Sequence, residues 1–262
     1  MRVLGFSVGH DKGAVIIENG KVVVGITQER LSRIKHDGAY QGGVIPFESI
    51  NYCLSSMGIT HRDIDYYVYS TTEVEDTVFR QFFAKYGDLK KEILYFIPHH
   101  LAHAYSAFFS SGLEESAVVV ADASGSILTF KNKLNLWYEK TRDGLDTNED
   151  WAEGISIYKF NKSEHNEVYK KWIKYPVPLK TDESTSLGTM YSTGSLQLIY
   201  EPNSQTWPAG KLMGLASYAD MDIVNEAPQF VQELEDDIFI SNHTIYPKVS
   251  WKSDFYSRAC VA

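Results

Sequence analysis

The stretch RVLGFSVGHDKGAVIIENGKVVVGITQ, residues 2–28, decides the fold. Its apolar residues fall into three short runs, 2–8, 14–18 and 21–28, rich in Val and Ile. They are separated by Gly9-His10-Asp11-Lys12-Gly13 and by Glu18-Asn19-Gly20-Lys21. β-Branched residues favour strands and Gly/Asn breaks favour tight turns, so the opening reads as a three-stranded antiparallel meander.

Working outward, Pro46 starts a helical pattern in which Ile50, Cys53, Leu54 and Met57 recur on one face, and Gly58 stands where that helix would be capped. Asp65–Ser70 reads as a strand, Val74–Tyr86 as a helix and Ile93–Ile97 as a strand, giving the order βββαβαβ. After a helix at about 100–111 the pattern restarts: Ser116–Ala121 is a buried strand followed by a polar turn with Ser124 and Gly125. Ile155–Phe160 and Glu167–Trp172 then form a hairpin around Asn161-Lys162-Ser163. Two successive hairpin modules imply a duplicated lobe, the α/β arrangement of the actin-like ATPase (RNase H-like) fold, in which two lobes face one ligand. The expected division is 1–113 for a complete first lobe and 114–262 for a partial second lobe, with the polar Glu139–Asp150 as an exposed excursion. Only about the first half of a second lobe precedes Ala262, so truncation is expected. Apolar edges such as Ile238-Phe239-Ile240 would then seek a partner chain or form a homodimer.

A chain of 262 residues, 44% hydrophobic and 23% charged, can bury a proper core. The apolar run at the start is too short for a signal peptide, and no run reaches the roughly 20 residues of a membrane span, so a cytoplasmic location is expected. The formal charge of -9 argues against nucleic acid and acidic membranes as partners and favours a small-molecule site. The two cysteines, Cys53 and Cys260, are too few and too far apart for a disulfide framework or a Cys-based zinc site.

The sharpest local feature is Pro98-His99-His100-Leu101-Ala102-His103-Ala104. A Pro-started helix puts His99 and His103 on one face, where two imidazoles can share a divalent ion. Spacing alone leaves a second reading open, a helix start whose histidines cap or pack. Asp122, at the carboxyl end of the 118–121 run, faces the ligand crevice if the strand lies in an α/β sheet, and is otherwise a turn-former. Two His and one Asp suit Fe, Mn or Zn with positions left open. The turn Gly9-His10-Asp11-Lys12-Gly13 offers amides and a Lys suited to phosphate, or is an ordinary β-turn. The charged run Glu29–Asp37 reads as a solvated face. In Pro208–Ala216, Gly210 and Gly214 bracket a short apolar turn that approaches either a ligand or another helix closely.

Taken together and in order, the G-H-D turn, Q-E-R-L-S-R-I-K-H-D at 28–37, H-H-L-A-H-A at 99–104, S-L-G-T-M-Y at 186–191 and G-K-L-M-G-L-A at 210–216 resemble the amino-terminal part of the O-carbamoyltransferases of the NodU/CmcH family. The first domain of that family is similar to the tRNA threonylcarbamoyladenosine enzyme. The resemblance implies an actin-like fold and a mononuclear metal, most often iron, on His99, His103 and Asp122. It further implies a site for ATP or carbamoyl-adenylate formed by Gly9, His10, Asp11, Lys35, Ser124, Gly125, Gly210 and Lys211. Catalysis would fall to His10, as base or phosphate donor, and to Lys35, as a phosphate or carbamoyl contact. A small-molecule hydroxyl would accept the carbamoyl group. The family pattern has Gly directly after the metal Asp, where this chain has Ala123, leaving Gly125 for the approach to phosphate. A carboxy-terminal YrdC-like domain, which makes the adenylate in the family, is missing from residues 1–262, so carbamoyl transfer by these residues alone is not expected. Two alternatives remain: an actin-like kinase, which has no use for a His-x-x-x-His metal site, and a non-catalytic nucleotide-binding domain.

Overall fold

The computed structural model describes residues 1–9, 11–37, 44–72, 75–129, 145–146, 148–162, 164–175, 186, 188–189, 191, 210, 213–214, 238–241 and 244–247. The opening meander is β1 (Arg2–Val8), β2 (Gly13–Glu18) and β3 (Lys21–Thr27), followed by the short α1 (Gln28–Ser32). Next come α2 (Phe47–Ser56), β4 (Tyr66–Thr71), α3 (Glu75–Lys85) and β5 (Leu94–Phe96). The first sheet has the order β3-β2-β1-β4-β5. β2 is antiparallel to its neighbours β1 and β3, whereas β4 runs parallel to β1 and β5 parallel to β4. A parallel neighbour needs a crossover, and α2 and α3 supply it. Strand order and directions are those of an RNase H-like lobe, as the order βββαβαβ anticipates.

Alternation decides which face is covered. Leu4, Phe6 and Val8 of β1 and Tyr67, Tyr69 and Thr71 of β4 are buried, since every second side chain of a strand points the same way. They meet Ile50, Cys53 and Leu54 of α2 and Val78 and Phe82 of α3. Burial of each large apolar side chain stabilises the fold by about 1.5–3 kcal/mol.

Then come α4 (His99–Ser111), β6 (Glu115–Ala121), β7 (Ile127–Leu128), β8 (Asp150–Asn161) and β9 (His165–Tyr175). β6 and β7 pair with one edge of β8, at different heights, and β9 pairs with the other edge, all antiparallel. Both hairpin strands are longer than their apolar cores suggest, and β7 is too short to leave a periodic signal. Leu101, Ala104 and Phe108 of α4 pack on Val120, Tyr158 and Phe160. In β8 the register slips between Glu153 and Ile155, making Gly154 an extra, bulged residue that re-aims its neighbours. Further on, β10 (Ile238–Ser241) pairs antiparallel with β11 (Thr244–Pro247), so the apolar run at 238–240 has a strand partner within the chain. Of the expected excursion, Leu145 packs against the first core and Asp150 already belongs to β8, whereas 139–144 and 147 lie outside the described residues. No helix among the described residues is long and apolar enough to cross a membrane.

Candidate metal centre

α4 is placed so that its two faces do different work. The stripe Leu101, Ala104 and Phe108 is buried on the second sheet, while His99 and His103 project from another face, one turn apart. Asp122 follows directly on β6, whose pairing with β8 fixes where the strand ends. His99 Nε2 lies 3.0 Å from Asp122 Oδ2, His103 Nε2 3.4 Å from the same oxygen, and the two Nε2 atoms 3.0 Å apart. Two atoms each about 2.1 Å from a shared ion lie about 3.0 Å apart at a right angle and about 3.4 Å apart at the tetrahedral angle. The three separations therefore fit one ion bound by two imidazoles and a carboxylate, a donor set suited to Fe, Mn or Zn. His103 is exposed, which leaves the open side of such an ion toward solvent.

The electrostatics agree with the geometry. Burial alone would raise the Asp122 carboxyl, but hydrogen bonds from His103, His99 and the Ala123 amide hold it well below the usual carboxylate range. The same hydrogen bond to Asp122 raises His103 above its ordinary value. His100 faces the other way, fully buried, with Nδ1 2.9 Å from Ser156 Oγ, and burial pushes it down to about 4. Its ring is therefore neutral at physiological pH, and its Nε2 has no hydrogen-bond partner among the described residues.

Around this triad lies a set of residues for which the sequence alone indicates no role at the metal site. Ser186 Oγ and Thr189 Oγ1 both donate to the Ala123 carbonyl, at 2.6 and 2.9 Å, and a Cβ on Gly188 would stand 2.5 Å from the Asp122 carbonyl carbon. The S-L-G-T segment thus seats the backbone just after Asp122. Glu153 is fully buried: Oε1 accepts from Lys170 Nζ at 2.7 Å, and Oε2 accepts from the amides of His100 (3.1 Å) and Ser126 (3.0 Å). Burial is the largest single influence and would raise the Glu153 carboxyl, but the Lys170 ammonium, His100 and the hydrogen bonds from Lys170 and the His100 amide together outweigh it and keep it below its ordinary value. Gly125 is buried and its N–H donates to the Glu153 carbonyl at 2.7 Å. A Cβ there would stand 2.6 Å from Glu153 Oε2 and 2.7 Å from His100 Cδ2. The Gly125 amide is committed inside the protein, and the missing side chain serves close packing. Ser124 is half-buried in the same loop.

The first-lobe candidates gather at the turn after β1. Gly9 has φ 127°, a conformation that favours glycine, and Asp11 has φ 55°. Lys12 is buried and paired with Asp37 at 3.4 Å, so its charge is already matched. His36 Nδ1 lies 2.6 Å from Asp11 Oδ1, and the His36 amide donates to Glu29 Oε2 at 3.2 Å. Residues 29–37 therefore fold back on the turn through Glu29, His36 and Asp37 while Arg30, Arg33 and Lys35 stay exposed, so the run is in part the solvated face expected of it; the pairing in space is not encoded in the local charge pattern. Lys35 is exposed on this segment, and Gly210 is helical and exposed. His10 and Lys211 lie outside the described residues. The turn and the triad are neighbours: a Cβ on Gly9 would stand 3.7 Å from Thr72 Oγ1, and the Thr71 carbonyl accepts from Ser126 Oγ, which itself accepts from the His99 amide.

Fold and site together define an α/β chain with an RNase H-like first lobe, carrying a His-His-Asp candidate metal centre between the first turn of α4 and the carboxyl end of β6. The chain belongs to the carbamoyltransferase N-terminus family, whose model matches residues 2–94 and 74–255. It is 26% identical over 254 residues to the uncharacterised protein sll1178 of Synechocystis, covering 82% of this chain and 34% of that protein. It is 33% identical over 139 residues to the nodulation protein NolNO of Sinorhizobium fredii, covering 44% of this chain and 20% of that protein. The chain thus spans about a third or less of the length of these relatives. Among solved structures it is similar to YeaZ from Pseudomonas aeruginosa at 10% identity and a TM-score of 0.37, over 67% of each chain.

Proposed function

We propose that residues 1–262 form the carbamoyl-transfer part of a carbamoyltransferase, binding ATP or carbamoyl-adenylate beside a divalent metal and passing the carbamoyl group to a small-molecule hydroxyl. The observation that carries this reading is the convergence of His99, His103 and Asp122 within hydrogen-bond distance of one another in a chain of this family. Iron is the first choice for the ion, with Mn or Zn as alternatives. When bound, the ion would neutralise charge on the nucleotide phosphates.

The chain's own residues do the rest. The acceptor oxygen forms a bond to the carbamoyl carbon, the bond from that carbon to the adenylate phosphate oxygen breaks, and AMP leaves. The hydroxyl proton passes to a base, a role proposed for His10 on the family resemblance. Lys35, exposed on the segment folded against the turn, meets phosphate or carbamoyl oxygen, and Gly9, Asp11, Ser124, Gly210 and Lys211 complete the nucleotide contacts. Fixed geometry removes the entropy of bringing the two substrates together, and cations aimed at the leaving phosphate lower the barrier. A cytoplasmic location, residues 1–113 and 114–262 as two lobes, and a YrdC-like domain or a second copy of the chain as partners belong to the same proposal.

The test uses the full-length protein with Fe(II), ATP, carbamoyl phosphate and a panel of hydroxyl acceptors, with product read by mass spectrometry. Carbamoylated product that disappears in His103→Ala supports the reading. Transfer undiminished in that variant overturns it.

A further inference from the structure

We infer that the buried Glu153 carboxylate, together with the Ser126 hydroxyl, positions the metal centre by capping the helix that carries His99 and His103. The inference rests on the reading of the triad as a metal site and adds residues that touch no ligand.

A helix leaves its first amides without intrahelical partners, and a Ser, Thr, Asp or Asn just before it usually supplies the acceptor. α4 starts after Pro98, which has no side-chain acceptor, so nothing local fills this need. The need is met from across the fold: the His99 amide donates to Ser126 Oγ at 2.9 Å, and the His100 amide to Glu153 Oε2 at 3.1 Å. These are the amides of a proposed ligand and of the residue beside it, so the acceptors fix the start of the helix relative to Asp122.

The construction around Glu153 goes beyond what filling a core requires. A buried charge pair is costly, and apolar side chains of the same volume would pack the space as well. The fold nevertheless keeps Glu153 at 0% exposure on Lys170, bulges β8 at Gly154 beside it, and leaves Gly125 without a side chain so that carboxylate and His100 ring can close up. The bulge lets Glu153 and Ser156 reach the same residue, His100, one at its amide and the other at its ring. Supporting residues of this kind hold ligands in place before an ion arrives, and their loss typically lowers metal affinity about 10–100-fold.

The test compares wild type, Glu153→Gln and Ser126→Ala in the full-length protein. One measurement is hydrogen exchange over residues 99–103, and the other is a Co(II) titration followed in the visible d–d bands. The expected result is exchange at least about tenfold faster in that turn, with β1–β3 unchanged, together with a Co(II) Kd raised about 10–100-fold and altered bands. Ser126→Ala removes two neutral hydrogen bonds, one from the His99 amide and one to the Thr71 carbonyl, and it decides the matter if Glu153→Gln fails to fold. Faster exchange with unchanged Kd and bands, or a raised Kd with unchanged exchange, overturns the inference. A wild type that binds no Co(II) sinks the metal reading itself, a different result from a wild type that binds it and variants that bind it equally well.

Discussion

Removing the Lys170 ammonium leaves the fully buried Glu153 carboxylate without its cation. Lys170 Nζ lies 2.7 Å from Glu153 Oε1, with side-chain exposures of 5% and 0%. Its second partner, Glu167 at 2.7 Å, is 26% exposed and counts for less. Breaking a buried pair by deleting one member costs about 3–5 kcal/mol, so Lys170→Met should lose that much stability in urea unfolding at pH 8. In wild type the Glu153 carboxyl lies below its ordinary value, so its contribution is present above the unfolded value of about 4.3 and fades only as pH falls through the lower, folded one. In Lys170→Met the remaining large influence is burial, which raises the carboxyl. The folded state then binds a proton where the unfolded chain does not, so the variant's stability falls as pH rises through that window. Its deficit should therefore shrink between pH 8 and pH 5. The double variant Glu153→Gln/Lys170→Met should recover most of the loss, because it leaves no charge in the site. A deficit under about 1 kcal/mol at pH 8, or one that stays equal at both pH values, would refute the argument.

Three further outcomes are expected. His103→Ala should weaken Co(II) binding at least about tenfold by calorimetry while barely moving the unfolding midpoint, since the ring is largely exposed. Gly188→Ala would put a Cβ 2.4 Å from the Ala123 nitrogen and should cost about 1–3 kcal/mol in urea unfolding, with weaker metal binding because the backbone after Asp122 must shift. Leu4→Ala, in the core of the first sheet, should cost about 2–5 kcal/mol and leave the Co(II) spectrum of the folded protein unchanged.

Much of the fold was legible because its signals are local. The apolar runs 2–8, 14–18 and 21–28 carry the period of a strand, and Pro98 with the i, i+4 histidines marks both the start of α4 and the face that turns His99 and His103 toward Asp122. Asp122 was legible for a related reason, since a carboxylate ending an apolar strand of an α/β fold stands near the crevice. Glu153 and Lys170 were not: on paper they are two charges in a polar hairpin, and only the bulge at Gly154 and the β8–β9 register turn them inward. The same holds for Ser186, Gly188 and Thr189, whose contact with Ala123 joins positions more than sixty residues apart. Gly125 was expected to approach phosphate, and the structure adds that its missing side chain leaves space for Glu153 and His100.

The Ser126 hydroxyl donates its one proton to the Thr71 carbonyl at the end of β4 and accepts the His99 amide from α4. A hydroxyl has one hydrogen to give and lone pairs to accept with, so this one oxygen ties the end of β4 to the start of the proposed ligand helix. If the triad holds an ion as proposed, a ligand that shifts β4 against the start of α4 changes the hold on that ion through this hydroxyl. Linkage makes the relation mutual: the ion, by fixing His99, biases the placement of β4 against α4 by the same free energy. On the proposed metal reading, occupancy of the triad and the hold of Ser126 on β4 are one equilibrium observed from two sides.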